Sequence, residues 1–264
     1  MKKFLFFFSV LFTFNIYAAT TKSDMYGNRG LELIREANFN QISELSKASG
    51  SLQTFETYFE KNKKVDSKGI LLGTVSNFVD AKNIHAGLTV AYQKYKFENN
   101  YFNTRDYALN TYLSYRKESY LFTLGLAYSQ SKKLVKRAYS GTFEIGKFFK
   151  GKNYDFFDKT QVYIYTGLDS NKWKQKKIEN TRFINYRLGL STYHFIKNLR
   201  FTGNLELNTD NKRYTVNRDK LNLSFSYAVA YQIYDDLLIE LKYKGTKNKK
   251  FYNNLVSLGF THNF

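Results

Sequence analysis

The chain has 264 residues with no Cys and no Pro, and its 41 Lys and Arg outnumber 22 Asp and Glu to give a formal net charge of +19. The lack of Cys excludes a disulfide framework, thiolate metal sites and a lipid anchor on cysteine. The 25 Phe and 23 Tyr, set against a negative mean hydropathy, argue against a soluble core, which would draw on more Leu, Ile and Val.

The first segment, residues 1–18, reads as a secretory signal peptide: "MKK" is a positive start, "FLFFFSVLFTF" an apolar core, and "IYAA" supplies small residues for cleavage after Ala18. The apolar run is too short to cross a bilayer as a helix, and no later stretch approaches the roughly 18 apolar residues such a helix needs. Residues 19–50 break the pattern of the rest. In "GLELIREANFNQISELSKASG", Leu31, Ile34, Ile42 and Leu45 stand at helix-like spacings with charges between them. This predicts a short amphipathic helix, either periplasmic or plug-like inside whatever follows. No passenger domain precedes it, so an ordinary autotransporter is not expected.

From residue 51 the chain repeats one unit, a run of roughly 10 to 14 residues with alternating apolar and polar positions, closed by turn or charged residues. About twelve runs follow, near 52–60, 68–79, 84–96, 104–116, 120–131, 137–149, 158–169, 181–195, 199–209, 218–233, 237–246 and 253–264. In the clearest pair, Tyr107, Leu109, Thr111, Leu113 and Tyr115 share one face, and Tyr120, Phe122, Leu124, Leu126 and Tyr128 share another. Eight steps of about 3.3 Å, once tilted, give roughly the height of an apolar membrane band bounded by aromatic girdles. The opposite faces carry small or polar residues such as Ala108, Asn110, Ser114, Thr123 and Gly125. These features predict an all-β fold over 51–264, a transmembrane antiparallel up-and-down β-barrel of about 12 strands. The expected tight turns are Lys117–Glu118, Ile196–Lys197 and Tyr234–Asp236. They fall at one end, which such barrels direct to the periplasm. The longer connections at the other end are strongly basic.

The signal peptide, the amphipathic strands and a last run ending on Phe264, with Val256, Leu258 and Phe260 at alternate positions before it, resemble bacterial outer-membrane β-barrel proteins. The resemblance spans about 50–264 and points to no subfamily. It implies an integral outer-membrane location beside lipopolysaccharide, a monomer, and a terminal strand (Val256, Leu258, Phe260, Phe264) read by the barrel-assembly machinery. His262 departs from the aromatic or apolar residue usual at its place.

Chemistry-bearing groups are sparse. The three histidines, His85, His194 and His262, fall at the periplasmic rim, away from the outer leaflet where lipid chemistry would occur. No catalytic residue, metal ligand or cofactor site is assigned. Charges carry more. Lys132, Lys133, Lys172, Lys174, Lys176, Lys177, Lys247, Lys249 and Lys250 form a basic rim on the outer connections, suited to lipopolysaccharide phosphates or to small anionic solutes; nucleic acid is the weakest fit. Inside the wall, Glu144, Arg187, Glu206, Lys220, Glu240 and Lys242 line the expected pore, with Arg187 placed opposite Glu206 by a turn at Ile196 and Lys197. The leading function is a passive conduit for small, preferentially anionic solutes. The alternative is a structural or surface-interaction barrel with an occluded lumen that binds lipopolysaccharide or a partner through basic loops. A lipid-modifying enzyme comes third.

Overall fold

A computed structural model describes residues 23–43, 51–61, 65–78, 81–97, 104–131, 135–150, 159–175, 181–210, 221–247 and 252–263. The signal-peptide segment, Leu45, Lys220 and Phe264 lie outside them, as do Lys132, Lys133, Lys176, Lys177, Lys249 and Lys250 of the basic rim. Among these residues one helix, α1 (Ser23–Ser43), precedes twelve strands. They are β1 (Leu52–Lys61), β2 (Val65–Phe78), β3 (Ala81–Phe97), β4 (Thr104–Lys117), β5 (Tyr120–Ser131) and β6 (Val135–Lys150), then β7 (Lys159–Gln175), β8 (Thr181–Ile196), β9 (Leu199–Asp210), β10 (Leu221–Tyr234), β11 (Leu237–Lys247) and β12 (Tyr252–Asn263). Each strand pairs antiparallel with its sequence neighbours, and β1 pairs with β12, so the sheet closes into a barrel. Closure leaves no strand edge unpaired, which is the condition for a sheet to sit in lipid.

Alternation decides which side chains face where. On β4, Ala108, Asn110, Tyr112 and Ser114 are buried in the lumen, while Tyr107, Leu109, Leu113 and Tyr115 are exposed outside. On β5, Leu121 and Thr123 are buried, while Tyr120, Leu124 and Leu126 face out. The outward set continues round the wall through Ile164, Leu188, Leu205, Leu241 and Leu258. A soluble protein would not present so continuous an apolar belt to water.

Three connections at one end are two-residue turns, at Glu118–Ser119, Lys197–Asn198 and Asp235–Asp236. Each starts one residue later than the sequence pattern suggested. Glu118 and Lys197 have φ of 55° and 49°, the left-handed conformation that a tight hairpin demands of its first central residue. The second turn residue then offers its carbonyl sideways: Ser119, Asn198 and Asp236 accept hydrogen bonds from the amides of Phe148, Gln232 and Asn263 at 2.7–2.8 Å. The turns are thus tied to the barrel's end. A second correction concerns β7, which was expected to stop near 169 and continues to Gln175. Lys172 and Lys174 therefore belong to the wall, not to a free connection.

The outward face of β5 offers a direct check. Leu124 stands midway between Tyr120 and Tyr128 and is 58% exposed. Replacing it with Arg puts a charge near the middle of the belt and is expected to cost about 2–4 kcal/mol of folding stability in lipid vesicles. Leu124→Phe should be close to neutral, both measured by denaturant titration of the heat-modifiable barrel.

Candidate functional site in the barrel lumen

The lumen contains α1. Its carboxyl-terminal end lies at the turn end of the barrel, where Asn40 donates to Asn263 at 3.2 Å and Gln41 accepts from Arg116 at 2.6 Å. Its 21 residues extend about 31 Å at 1.5 Å per residue, enough to run most of the way through a membrane barrel. The sequence suits such a place because it is apolar on more than one side and charged between. Leu31, Leu33, Ile34, Ala37 and Phe39 are all buried. They form one cluster with Leu52, Val75, Tyr112, Leu121, Phe148, Tyr163, Tyr165 and Tyr193 of the wall. Phe39 stacks on Tyr193 with ring centroids 4.3 Å apart.

Two charge networks fix the helix. In the first, Arg35 donates from Nε to Glu144 at 2.7 Å and from a terminal nitrogen to the other carboxylate oxygen, and its guanidinium lies 3.6 Å from the centre of the Tyr165 ring. Glu144 is shared: Arg187 reaches it at 2.9 Å, and also meets Asp169 at 2.9 Å and Glu206 at 3.5 Å. Tyr165 donates its hydroxyl to Glu206 at 2.9 Å. A ring of contacts therefore runs from Arg35 through Glu144, Arg187, Glu206 and Tyr165 back to Arg35. In the second network Arg29 is paired with Glu56 and, at 3.4 Å, with Glu240. Arg200 joins Glu240 at 3.0 Å and Glu36 of the helix at 2.5 Å. Glu32 pairs with Lys242 and lies 3.9 Å from Lys244.

Close backbone approach makes room for the aromatic part. A Cβ at Gly189 would strike the Tyr165 ring, and one at Gly146 would strike the ring of Tyr163. Glycine at those two positions lets the tyrosines lie flat across neighbouring strands under Arg35.

Of the pore-lining residues expected from sequence, Glu144, Arg187, Glu206, Glu240 and Lys242 all face the lumen and are buried. The register differs in one respect: Glu206 is opposite Gly189, and Arg187 is opposite Asn208. The one-residue displacement of the Lys197–Asn198 turn shifts the pairing by two, so Arg187 and Glu206 meet on the diagonal. Each of these groups is engaged with the helix or with a neighbour engaged by it, although Lys242 also borders a small cavity. The sequence reading missed Arg29, Glu32, Arg35 and Glu36, together with their wall partners Glu56 and Arg200. The available signal was the alternation of sign in "RGLELIRE", four charges that a helix spreads over more than one face.

All three histidines sit at the turn end. His85 is buried on the lumen face opposite Ser114, His194 is 3.1 Å from the Thr160 hydroxyl, and His262 is 2.9 Å from Asp236. Of the basic rim, Lys172 and Lys174 lie on β7, Lys247 ends β11, and Val256, Leu258 and Phe260 of the terminal strand point outward from the barrel. Among the described residues no group of three or more His, Asp or Glu is gathered as for a metal ion. A cavity of about 40 Å³ lies between the helix and the loop end, lined by Arg29, Glu32, Glu56, Tyr58, Lys242 and Lys244 among others. It has room for a few water molecules.

No protein-family model and no curated protein matches the sequence. Solved structures do. The β domain of the Bordetella autotransporter BrkA is similar at TM-score 0.59 and 10% identity, covering 81% of this chain and 99% of that one. An outer-membrane channel from Pseudomonas putida F1 gives 0.60 at 8% identity, covering 81% and 95%. The NanC porin gives 0.57 at 10%, covering 80% and 100%. These are an autotransporter β domain, a channel and a porin, and the likeness is one of architecture: the chain has the fold of bacterial outer-membrane β-barrels.

Arg187 is the cation on which the wall depends most. Arg187→Leu leaves Glu144, Asp169 and Glu206 with one shared positive neighbour fewer, and is expected to cost about 3–5 kcal/mol, the usual consequence of stranding buried charge. Arg187→Lys, which keeps the charge but loses the fork, should cost less. Urea unfolding in detergent followed by heat-modifiability checks both.

Proposed function

We propose that this protein is an outer-membrane barrel held closed by its own amino-terminal helix, acting through its outer surface and not as an open pore. One observation carries this reading: α1 occupies the path that a solute would take, with four charged side chains paired to the wall and five apolar ones packed against it. A passive conduit needs an aqueous lumen lined by solvated charge. Here the charges that would set its selectivity are spent on the helix. Burial of Leu31, Leu33, Ile34 and Phe39 alone contributes about 1.5–3 kcal/mol each, so thermal motion does not empty the lumen.

The outward and downward orientation of the barrel follows from its connections. The end with two-residue turns is assigned to the periplasm, and the end with longer, basic connections to the cell surface. Surface action then falls to the loop end, where the positive charge of the chain is concentrated. No catalytic role is assigned: the histidines are at the opposite end from the outer leaflet, and two of them are engaged in hydrogen bonds there.

Planar-bilayer recording of the purified full-length chain is the test. The wild type is expected to be silent. Arg29→Ala with Arg35→Ala, which removes the helix's cations from Glu56, Glu240 and Glu144 and leaves the last two only their wall arginines, is expected to produce flickering conductance. Deletion of 23–43 should give stable open steps. Steady conductance of the wild type at the level of the deletion variant would overturn the closed reading and restore the conduit.

A further inference from the structure

On the outer surface of the barrel, near the loop end, three cations stand side by side across three strands. Lys68 of β2 is the direct cross-strand partner of Lys94 of β3, and Lys94 is the direct partner of Arg105 of β4. All three are exposed and on the outward face. Directly opposed residues have Cβ atoms about 4.5–5.5 Å apart, and like charges at that distance repel. No carboxylate relieves them within the row: on the far side of Lys68 the partner is Phe59. Asp106, next to Arg105 in sequence, is buried in the lumen, and Asp66 is one step nearer the rim, opposite Lys96. No ion pair joins any of the three to a described residue. The arrangement costs energy unless something anionic lies over it.

What lies below the row identifies the class of anion. Two residues nearer the turn end, the same strands present Ile70, Tyr92 and Tyr107, with the two tyrosine rings 5.3 Å apart, and two residues further come Leu72, Val90 and Leu109. The cations therefore cap a continuous apolar surface at its aromatic border. A molecule that fits both parts has a phosphate-bearing head at the level of the row and acyl chains on the belt beneath. Arg105 supplies a fork suited to two phosphate oxygens, and the lysines supply point charges beside it. Among the described residues the turn end has no such row of directly paired cations: Tyr120 stands between Lys117 and Lys147, with the Lys147 nitrogen 3.2 Å from its hydroxyl. A related grouping recurs across β6–β8, where Arg137 is opposite Lys174 and Lys172 is opposite Arg182.

We infer that Lys68, Lys94 and Arg105 form a docking site for the phosphorylated headgroup of an outer-leaflet lipid. This rests on the membrane placement and orientation proposed above, and it names the ligand of that outer surface. It does not depend on whether the lumen is closed.

The test is retention of lipid by the full-length barrel, extracted in detergent with a bisphosphorylated glycolipid and examined by native mass spectrometry. The wild type is expected to keep the lipid. K68Q/K94Q/R105Q should bind it about tenfold more weakly or worse, since each cation near an anionic surface contributes substantially. The triple variant relieves repulsion, so its heat-modifiability should match the wild type. The same lipid without phosphates should not be retained by the wild type, an arm that needs no variant. K82Q/K117Q, altered at the turn end, should retain lipid normally. Equal retention by the triple variant, or equal retention of the dephosphorylated lipid, would overturn the site. Loss of retention in K82Q/K117Q alone would place the lipid at the turn end and overturn the site. Full displacement of the lipid by inorganic phosphate would make the occupant a free anion and would also overturn it. Conductance of the wild type, which would defeat the closed-lumen reading, leaves each of these outcomes unchanged.

Discussion

Ions in the interior of a narrow barrel have little water to turn to, so each must find its counter-ion among the residues that fill the same space. That requirement organises this protein. Glu144 faces inward from β6, between Arg187 of the wall and Arg35 of the helix. Removing either arginine leaves Glu144 one cation in place of two, in a packed setting where an under-compensated charge is costly. The same holds for Glu240, between Arg29 and Arg200. Wall and helix are therefore two halves of one electrostatic arrangement, and neither is complete without the other.

The apolar contacts make the arrangement tight, while the ion pairs make it specific. Leu33, Ile34 and Phe39 would be satisfied by many greasy surfaces, whereas Arg35 is satisfied only where Glu144 meets the flat rings of Tyr163 and Tyr165. Those rings lie flat because Gly146 and Gly189 offer no side chain beneath them. Register matters for the same reason. A slip of two residues between β8 and β9 that set Glu206 opposite Ser191 would carry it away from Tyr165 and Arg187 and break the ring of contacts. Helix position, strand register and glycine placement thus support one another.

The outside of the barrel obeys a different solvent and shows a different chemistry. Its belt is uncharged where the bilayer is driest, tyrosine-rich at the border, and cationic above. Unlike the lumen, where every described arginine but Arg116 has a carboxylate partner, the outer row of Lys68, Lys94 and Arg105 is positive throughout. Charge is cheap there because water is at hand, and in the proposed setting lipid phosphates as well, so the chain can concentrate one sign and leave neutralisation to its surroundings. The helix in the lumen and the basic exterior are the two observations on which the proposed surface role rests.

Much of this was legible in the sequence, because a barrel wall is a local pattern repeated. Period-two alternation in stretches such as "YALNTYLSYRK" states which side of the wall each residue faces, and twelve such runs bound the strand number. The inward direction of Glu144, Arg187, Glu206, Glu240 and Lys242 followed from the same parity. The exact pairing did not: a tight turn admits neighbouring positions, and the left-handed conformation of Lys197 moved Arg187 from beside Glu206 to its diagonal. Nor could the pattern disclose what faces those charges. The contacts of Arg29 with Glu240 and of Lys242 with Glu32 span 211 and 210 residues, and no local spacing records a partner that far along the chain. The sequence determined a closed wall with two unlike faces. Only the tertiary structure decided that the inner face is occupied, because occupancy depends on matching separate surfaces in three dimensions, where parity along one strand says nothing.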